Sequence, residues 1–197
     1  MSVRDSKKAD KRQRIFSAAR DRFEKDGFEA TTIRSVATDA KVAVGTVLLH
    51  TTSKQDLLQA VWREEMMPVV QEAVAGSQSR QGVEGLLALF SPLLRAYSQK
   101  PALARVVVQQ LPWLDGVASE VHRLDLDLFL AAISDVLSRS TAVREGREDL
   151  QLTAELLFSA YYSACWQLLR PVDPTPLEQT LERLRRQVEV VLRGVQG

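Results

Sequence analysis

Histidine and cysteine are nearly absent from this sequence: His50, His122 and Cys165 are the whole supply in 197 residues. A single cysteine forms no intramolecular disulfide and no cysteine-rich zinc site, so a reducing cytoplasm is the expected compartment. Neither a Glu-x-x-His nor a His-Glu-x-x-His pattern occurs, and there is no glycine-rich phosphate loop. No metal centre, no cofactor and no catalytic residue is therefore expected, and the chain does not read as an enzyme. Strand signals are missing too, with no sustained apolar/polar alternation and no Asn-Gly or Asp-Gly hairpin turn. No apolar run approaches the length that spans a membrane. The opening MSVRDSKKADKRQR is charged where a signal peptide needs an apolar core.

An excess of one charge is lacking overall, at net +1. The average conceals an asymmetry: residues 1–54 carry 12 Lys/Arg against 7 Asp/Glu (+5), and residues 55–197 carry 14 against 18 (−4). A basic first quarter on an acidic remainder points to a polyanion meeting one end only.

What is present is helical spacing, throughout. Ile15, Ala18, Ala19 and Phe23 line one stripe of a helix over 12–27, with Gly27 at its C-terminal cap and Phe28 packing back. Short helices follow at 32–39 and 43–50. Ser53 is a good N-cap for a fourth helix, which Pro68 is expected to kink or end. The loop GSQSRQG at 76–82 is the candidate hinge between the two halves, and the expected domains are 1–54 and 55–197. Further helices are expected at 83–99, from Pro101 to before Pro112, and at about 115–139, 147–170 and 175–195. The fold class is all-α, with about nine helices.

Helix 32–39, the turn at Asp39-Ala40-Lys41 and helix 43–50 have the lengths of a helix-turn-helix. Val36, Ala37, Ala40, Val42 and Val47 are spaced to seat that pair on Ile15, Ala19 and Phe23. Ala43, Val44 and Thr46 then face away from the core, and Gly45 lets a backbone come close. Residues 15–58, IFSAARDRFEKDGFEATTIRSVATDAKVAVGTVLLHTTSKQDLL, resemble the DNA-binding domain of the TetR/AcrR family of bacterial regulators. The likeness runs through AA…F…G-F…TT, V-A-x-x-A, G-T and H…SK. It implies phosphate contacts at Thr32, His50 and Lys54, base-edge contacts at Arg34, Val44 and Thr46, and main chain near Gly45 lying close to DNA.

The sequence departs from the family at three points. Leu48 stands where an aromatic, most often tyrosine, holds a phosphate, and the aromatic expected near Thr51 is missing. Lys41 replaces the usual turn glycine, at a cost of roughly 1–2 kcal/mol if the left-handed backbone is kept, while offering a phosphate contact. The arm residues Lys7, Lys8, Lys11, Arg12 and Arg14 are a further source of affinity.

A reading helix spans few base pairs, so two copies about 34 Å apart, and hence a homodimer, are expected. The last two helices are the expected interface; on the second, Leu177, Leu181, Leu184, Val188, Val191 and Val195 repeat at fours and threes. Trp113, His122, Phe129, Tyr162 and Trp166, with Cys165, are the candidate walls of a pocket for a flat, largely apolar effector. The resemblance implies a repressor released from its operator by that effector. The alternative is a helical dimeric small-molecule-binding protein with weakened or lost DNA binding, which Leu48 and Thr51 favour.

Overall fold

A computed structural model describes residues 3–140 and 147–194, and every regular element among them is helical. In chain order these are α1 (Val3–Ala30), α2 (Ile33–Asp39), α3 (Val44–Leu48), α4 (Lys54–Ser77), α5 (Gly82–Gln99), α6 (Pro101–Gln110), a 3₁₀ turn (Leu111–Trp113), α7 (Gly116–Ser138), α8 (Arg147–Leu168) and α9 (Leu177–Gly194). The all-α reading and the nine helices hold among the described residues.

Boundaries moved where local chemistry differs from the pattern. Helix α1 begins at Val3 rather than near residue 12, because 3–26 contains neither glycine nor proline and Asp10 pairs with Arg14 at 3.2 Å one turn apart. The helical run is interrupted at Gly27, which has φ 77, and Phe28 returns to stack on Phe23 at 6.0 Å. Pro68 does not end α4, which continues to Ser77; the ring removes one main-chain bond from a helix of 24 residues. Helix α3 is shorter than the expected 43–50. Its N-cap, Ala43, has no side-chain acceptor, and beyond Leu48 the His50 N–H turns back to Val47 O at 2.8 Å.

The chain forms two compact units. The first comprises residues up to Glu65 together with Ala102–His122. Its core is Ile15, Ala19, Phe23, Val36, Val47 and Leu57, joined by Leu103 and Val107 of α6. Burial of so many branched side chains, each contributing about 1.5–3 kcal/mol on leaving water, is what holds the short α2 and α3 in place.

The second unit comprises Met66–Pro101 and the residues from Arg123 onward. Its core contains Leu86, Leu89, Phe90, Ile133, Leu157 and Leu184. Gly85 lets α7 come close to α5: a Cβ there would sit 2.6 Å from Val136 Cγ1. Of the apolar stripe of α9, Leu184 and Val188 are fully buried against α5 and α8 of the same chain, while Leu177, Leu181 and Val191 are half-buried; Val195 lies outside the described residues. Large apolar residues left exposed in this unit include Leu124 and Leu128 on α7, Leu152, Leu156 and Trp166 on α8, Val172, and Val190 on α9. No helix among the described residues is long and apolar enough to cross a membrane.

Candidate nucleic-acid interface

The presentation of α3 begins with the cap of α2. Thr32 takes an extended backbone, its Oγ1 accepts from Ser35 N–H at 3.0 Å, and Ser35 Oγ accepts from Thr32 N–H at 3.1 Å. This reciprocal box sets the start of α2. Its far end is fixed from α1, where Arg14 Nη1 donates to Ala40 O at 3.2 Å. Val42 N–H then donates to Ala37 O at 3.0 Å, and Lys41 between them takes φ 54. The left-handed turn is thus retained with lysine in place of glycine, and the Lys41 side chain is exposed.

Helix α3 is a single turn and a half. Val47 is fully buried and fixes the roll of the helix about its axis. At 3.6 residues per turn, Gly45 and Leu49 then lie on the outer side, with Val44 and Leu48 on one flank and Thr46 on the other. Ala43, Val44 and Gly45 are exposed, as is Arg34 on α2. A Cβ built on Gly45 meets nothing within 4 Å and its φ is not in the positive range. Neither packing nor backbone conformation inside the chain requires glycine there.

The two remaining phosphate candidates sit differently. His50 is partly buried just past α3, and burial, followed by the charges of Lys8 and Arg12, holds its imidazole below the ordinary value of 6.5. Lys54 is engaged within the chain: its Nζ donates to Phe28 O at 2.7 Å and Glu29 O at 3.3 Å, and lies 4.2 Å from the Phe28 ring centroid. An ammonium has three N–H donors, so one is left for a phosphate. Arg12 is also held, 4.3 Å over the Phe16 ring and 3.0 Å from Glu64 Oε1. Lys8 and Lys11 are exposed, and the Lys7 side chain lies outside what the structure describes.

The effector candidates are divided. Phe129 and Tyr162 both pack on Phe158, with ring centroids 6.2 and 6.3 Å away, in an aromatic cluster of the second unit that includes Phe90 and Tyr161. Trp166, one turn beyond Tyr162, is 50% exposed. Trp113 and His122 belong to the first unit, where Trp113 is 73% exposed. Two features escaped the sequence. Tyr161 Oη donates to Tyr97 Oη at 3.0 Å, and burial pushes both phenols well up and the nearby Cys165 thiol up to about 12. A groove of about 590 Å³ also runs along α5 and α9, bridged by Arg185–Glu84 at 2.8 Å and Arg95–Glu178 at 3.2 Å. Aromatic spacing signals the first; nothing local signals the second, whose walls are far apart in the chain.

A helix-turn-helix presented outward by its own three-helix core defines a DNA-binding regulator, and the comparisons agree. Residues 15–61 match the model of the bacterial regulatory proteins of the tetR family. Over 180 residues the chain is 28% identical to the HTH-type transcriptional repressor KstR of Mycobacterium tuberculosis, covering 88% of this chain and 78% of that protein. KstR of Rhodococcus jostii is likewise 28% identical, over 88% of this chain and 80% of the relative. Among solved structures, FadR of Bacillus subtilis in complex with stearoyl-CoA superposes with a TM-score of 0.74 at 17% identity, covering 92% of this chain and 98% of that one. FadR of Thermus thermophilus, a repressor in complex with lauroyl-CoA, gives 0.72 at 23% identity, covering 93% and 94%. The chain is thus similar to TetR-family transcriptional regulators, in sequence most clearly over residues 15–61 and in fold over most of its length.

Proposed function

We propose that this regulator is a homodimeric repressor whose α3 helices read an operator and which a small, largely apolar or aromatic effector releases. Residues 1–54 do the reading and residues 55–197 the sensing and pairing. Arg34, Ala43, Val44 and Thr46 face base edges, the main chain at Gly45 approaches the sugar-phosphate chain, and Thr32, Lys41, His50 and Lys54 contact phosphates. The observation that carries this reading is Gly45, a glycine that nothing inside the chain requires, on the outer face of a helix that follows α2 with its exposed Arg34 and the turn with its exposed Lys41. Exposed Leu152, Leu156 and Trp166 on α8 support pairing of two copies.

The sensor route has support within the first unit. Leu103 and Val107 of α6 are part of the core that carries α1–α3, and Gln55 Nε2 at the start of α4 donates to Trp113 O at 3.0 Å. An effector that shifts α6 against that core changes the affinity for DNA by the difference between its affinities for the two arrangements. Phe129, Tyr162 and Trp166, all within the second unit, are the proposed effector contacts. Because two structural neighbours are held with acyl-CoA thioesters, stearoyl-CoA and lauroyl-CoA are the first effectors to try.

Gel shift of the purified protein against DNA flanking its own gene tests the reading. A retarded band that an effector dissolves is expected. A second reading, a dimeric small-molecule binder with weakened DNA affinity, draws on the engagement of Lys54 and on Leu48; absence of any shift at low ionic strength decides for it.

A further inference from the structure

We propose that the outer face of α3 reads thymine methyl groups, with Val44, Leu48 and Leu49 as an apolar surface for 5-methylpyrimidines in the major groove. This rests on the reading of α3 as the DNA-contacting helix. It goes further in naming what on the bases is read.

The surface is unusual for a water-facing one. Leu49 is 85% exposed, more than any other large apolar side chain among the described residues, Leu48 is 49% and Val44 39%. Val44 and Leu48 are the first and last residues of a helix only five residues long, and Leu49 is its C-cap. From Ala43 to Leu49 the only side chain able to form a hydrogen bond is that of Thr46, on the other flank. Base pairs in the major groove differ in donors, acceptors and one apolar feature, the C5-methyl of thymine. Aliphatic side chains recognise only the last.

The surroundings select a duplex over an apolar protein partner. Arg34 on α2 and Lys41 in the turn that leads into α3 are both exposed; a protein helix docked over this helix-turn-helix would strip water from such cations, whereas a phosphate chain pairs with them. The open space over Gly45, where even a Cβ meets no atom within 4 Å, lets the helix sink far enough for short aliphatic side chains to reach base edges. Leucine at position 48 brings no hydroxyl to a phosphate, and the same position instead extends the apolar strip.

The test starts from random DNA. Full-length protein selects bound duplexes from a random-sequence pool, and each thymine of the recovered half-site is replaced in turn by deoxyuridine. That replacement removes one methyl and leaves every hydrogen-bonding group. Kd is read by fluorescence anisotropy for the wild type, Leu48→Ala and Leu49→Ala, with light scattering for oligomeric state. We expect thymines at the positions under α3, a roughly fourfold weaker Kd for each contacted methyl removed, an unchanged salt slope, and loss of the thymine preference in Leu49→Ala. Both leucines are exposed, so both variants keep the fold. Equal Kd for thymine and deoxyuridine at every position overturns the inference and leaves DNA binding standing. So does a Leu49→Ala effect that is the same on both duplexes or that appears only as a change of oligomeric state. A pool with no retained sequence overturns this inference and the proposed function together.

Discussion

Arg22 grips Asp39 with two parallel hydrogen bonds, Nε to Oδ2 at 2.5 Å and Nη2 to Oδ1 at 3.0 Å, and reaches Asp26 with Nη1 at 2.9 Å. Asp39 is the last residue of α2, two positions before the left-handed Lys41, in the turn that leads to α3. The fork joins α1 to that turn and neutralises a carboxylate that would otherwise repel a phosphate chain. The Arg22 hydrogen bonds hold the Asp39 carboxyl below its ordinary 3.8. Its folded value being depressed, the contribution is present above pH 3.8 and fades as pH falls through the lowered value. Arg22→Ala is therefore expected to weaken DNA binding severalfold at neutral pH. Arg22→Ala/Asp39→Asn should recover part of that loss in the same anisotropy assay.

His50 gives a pH dependence of opposite origin. Buried in part and facing Lys8 and Arg12, it is held below 6.5 in the free protein, and a phosphate beside it would raise that value. Binding then takes up a proton in the window between the two values. Operator affinity is expected to rise as pH falls through that window, and His50→Gln to flatten that slope. Without DNA the sign for folding is reversed: a depressed imidazole value means that stability declines as pH drops below 6.5.

The seat of α6 in the core of the first unit predicts a stability effect far from the DNA-contacting residues in sequence. Leu103 is fully buried there with Phe23, Val47 and Leu57. Leu103→Ala is expected to cost about 2–5 kcal/mol, measured by urea denaturation. A fragment ending at residue 65 leaves the same seat empty and should melt below the intact chain.

Cys165 is 2% exposed and its thiol is pushed up to about 12 by burial. A thiol so protonated alkylates slowly. Reaction with iodoacetamide at pH 8 is expected to be negligible in the folded protein and complete after denaturation. The neighbouring phenols, Tyr97 and Tyr161, are both raised above 10, so the neutral cluster favours folding until pH exceeds 10 and destabilises it beyond.

Much of this was written locally. Helix identity followed from spacing, and the ends of α2 and α5 from residues at their own boundaries: the Thr32–Ser35 box and the loop before Gly82. The outward face of α3 was legible too, because one buried residue, Val47, sets the phase of its neighbours. Less legible were features in which a local rule met a tertiary competitor. Pro68 is a helix breaker by chemistry, yet α4 runs through it. The α9 stripe has the period of an interface, and periodicity alone does not say that its central residues, Leu184 and Val188, are taken up by α5 and α8 of the same chain.

By itself, then, the sequence determined the helices, the turn that orients α3 and the basic character of its first quarter, since propensity, capping and charge act within a few residues. Only the tertiary structure decided that Lys54 spends two of its donors on α1 carbonyls, that Arg22 quenches Asp39, and that α6 completes the core beneath the reading helix. Those relations join residues from 17 to about 90 positions apart, and their geometry exists only once burial of the shared apolar core has brought the segments together.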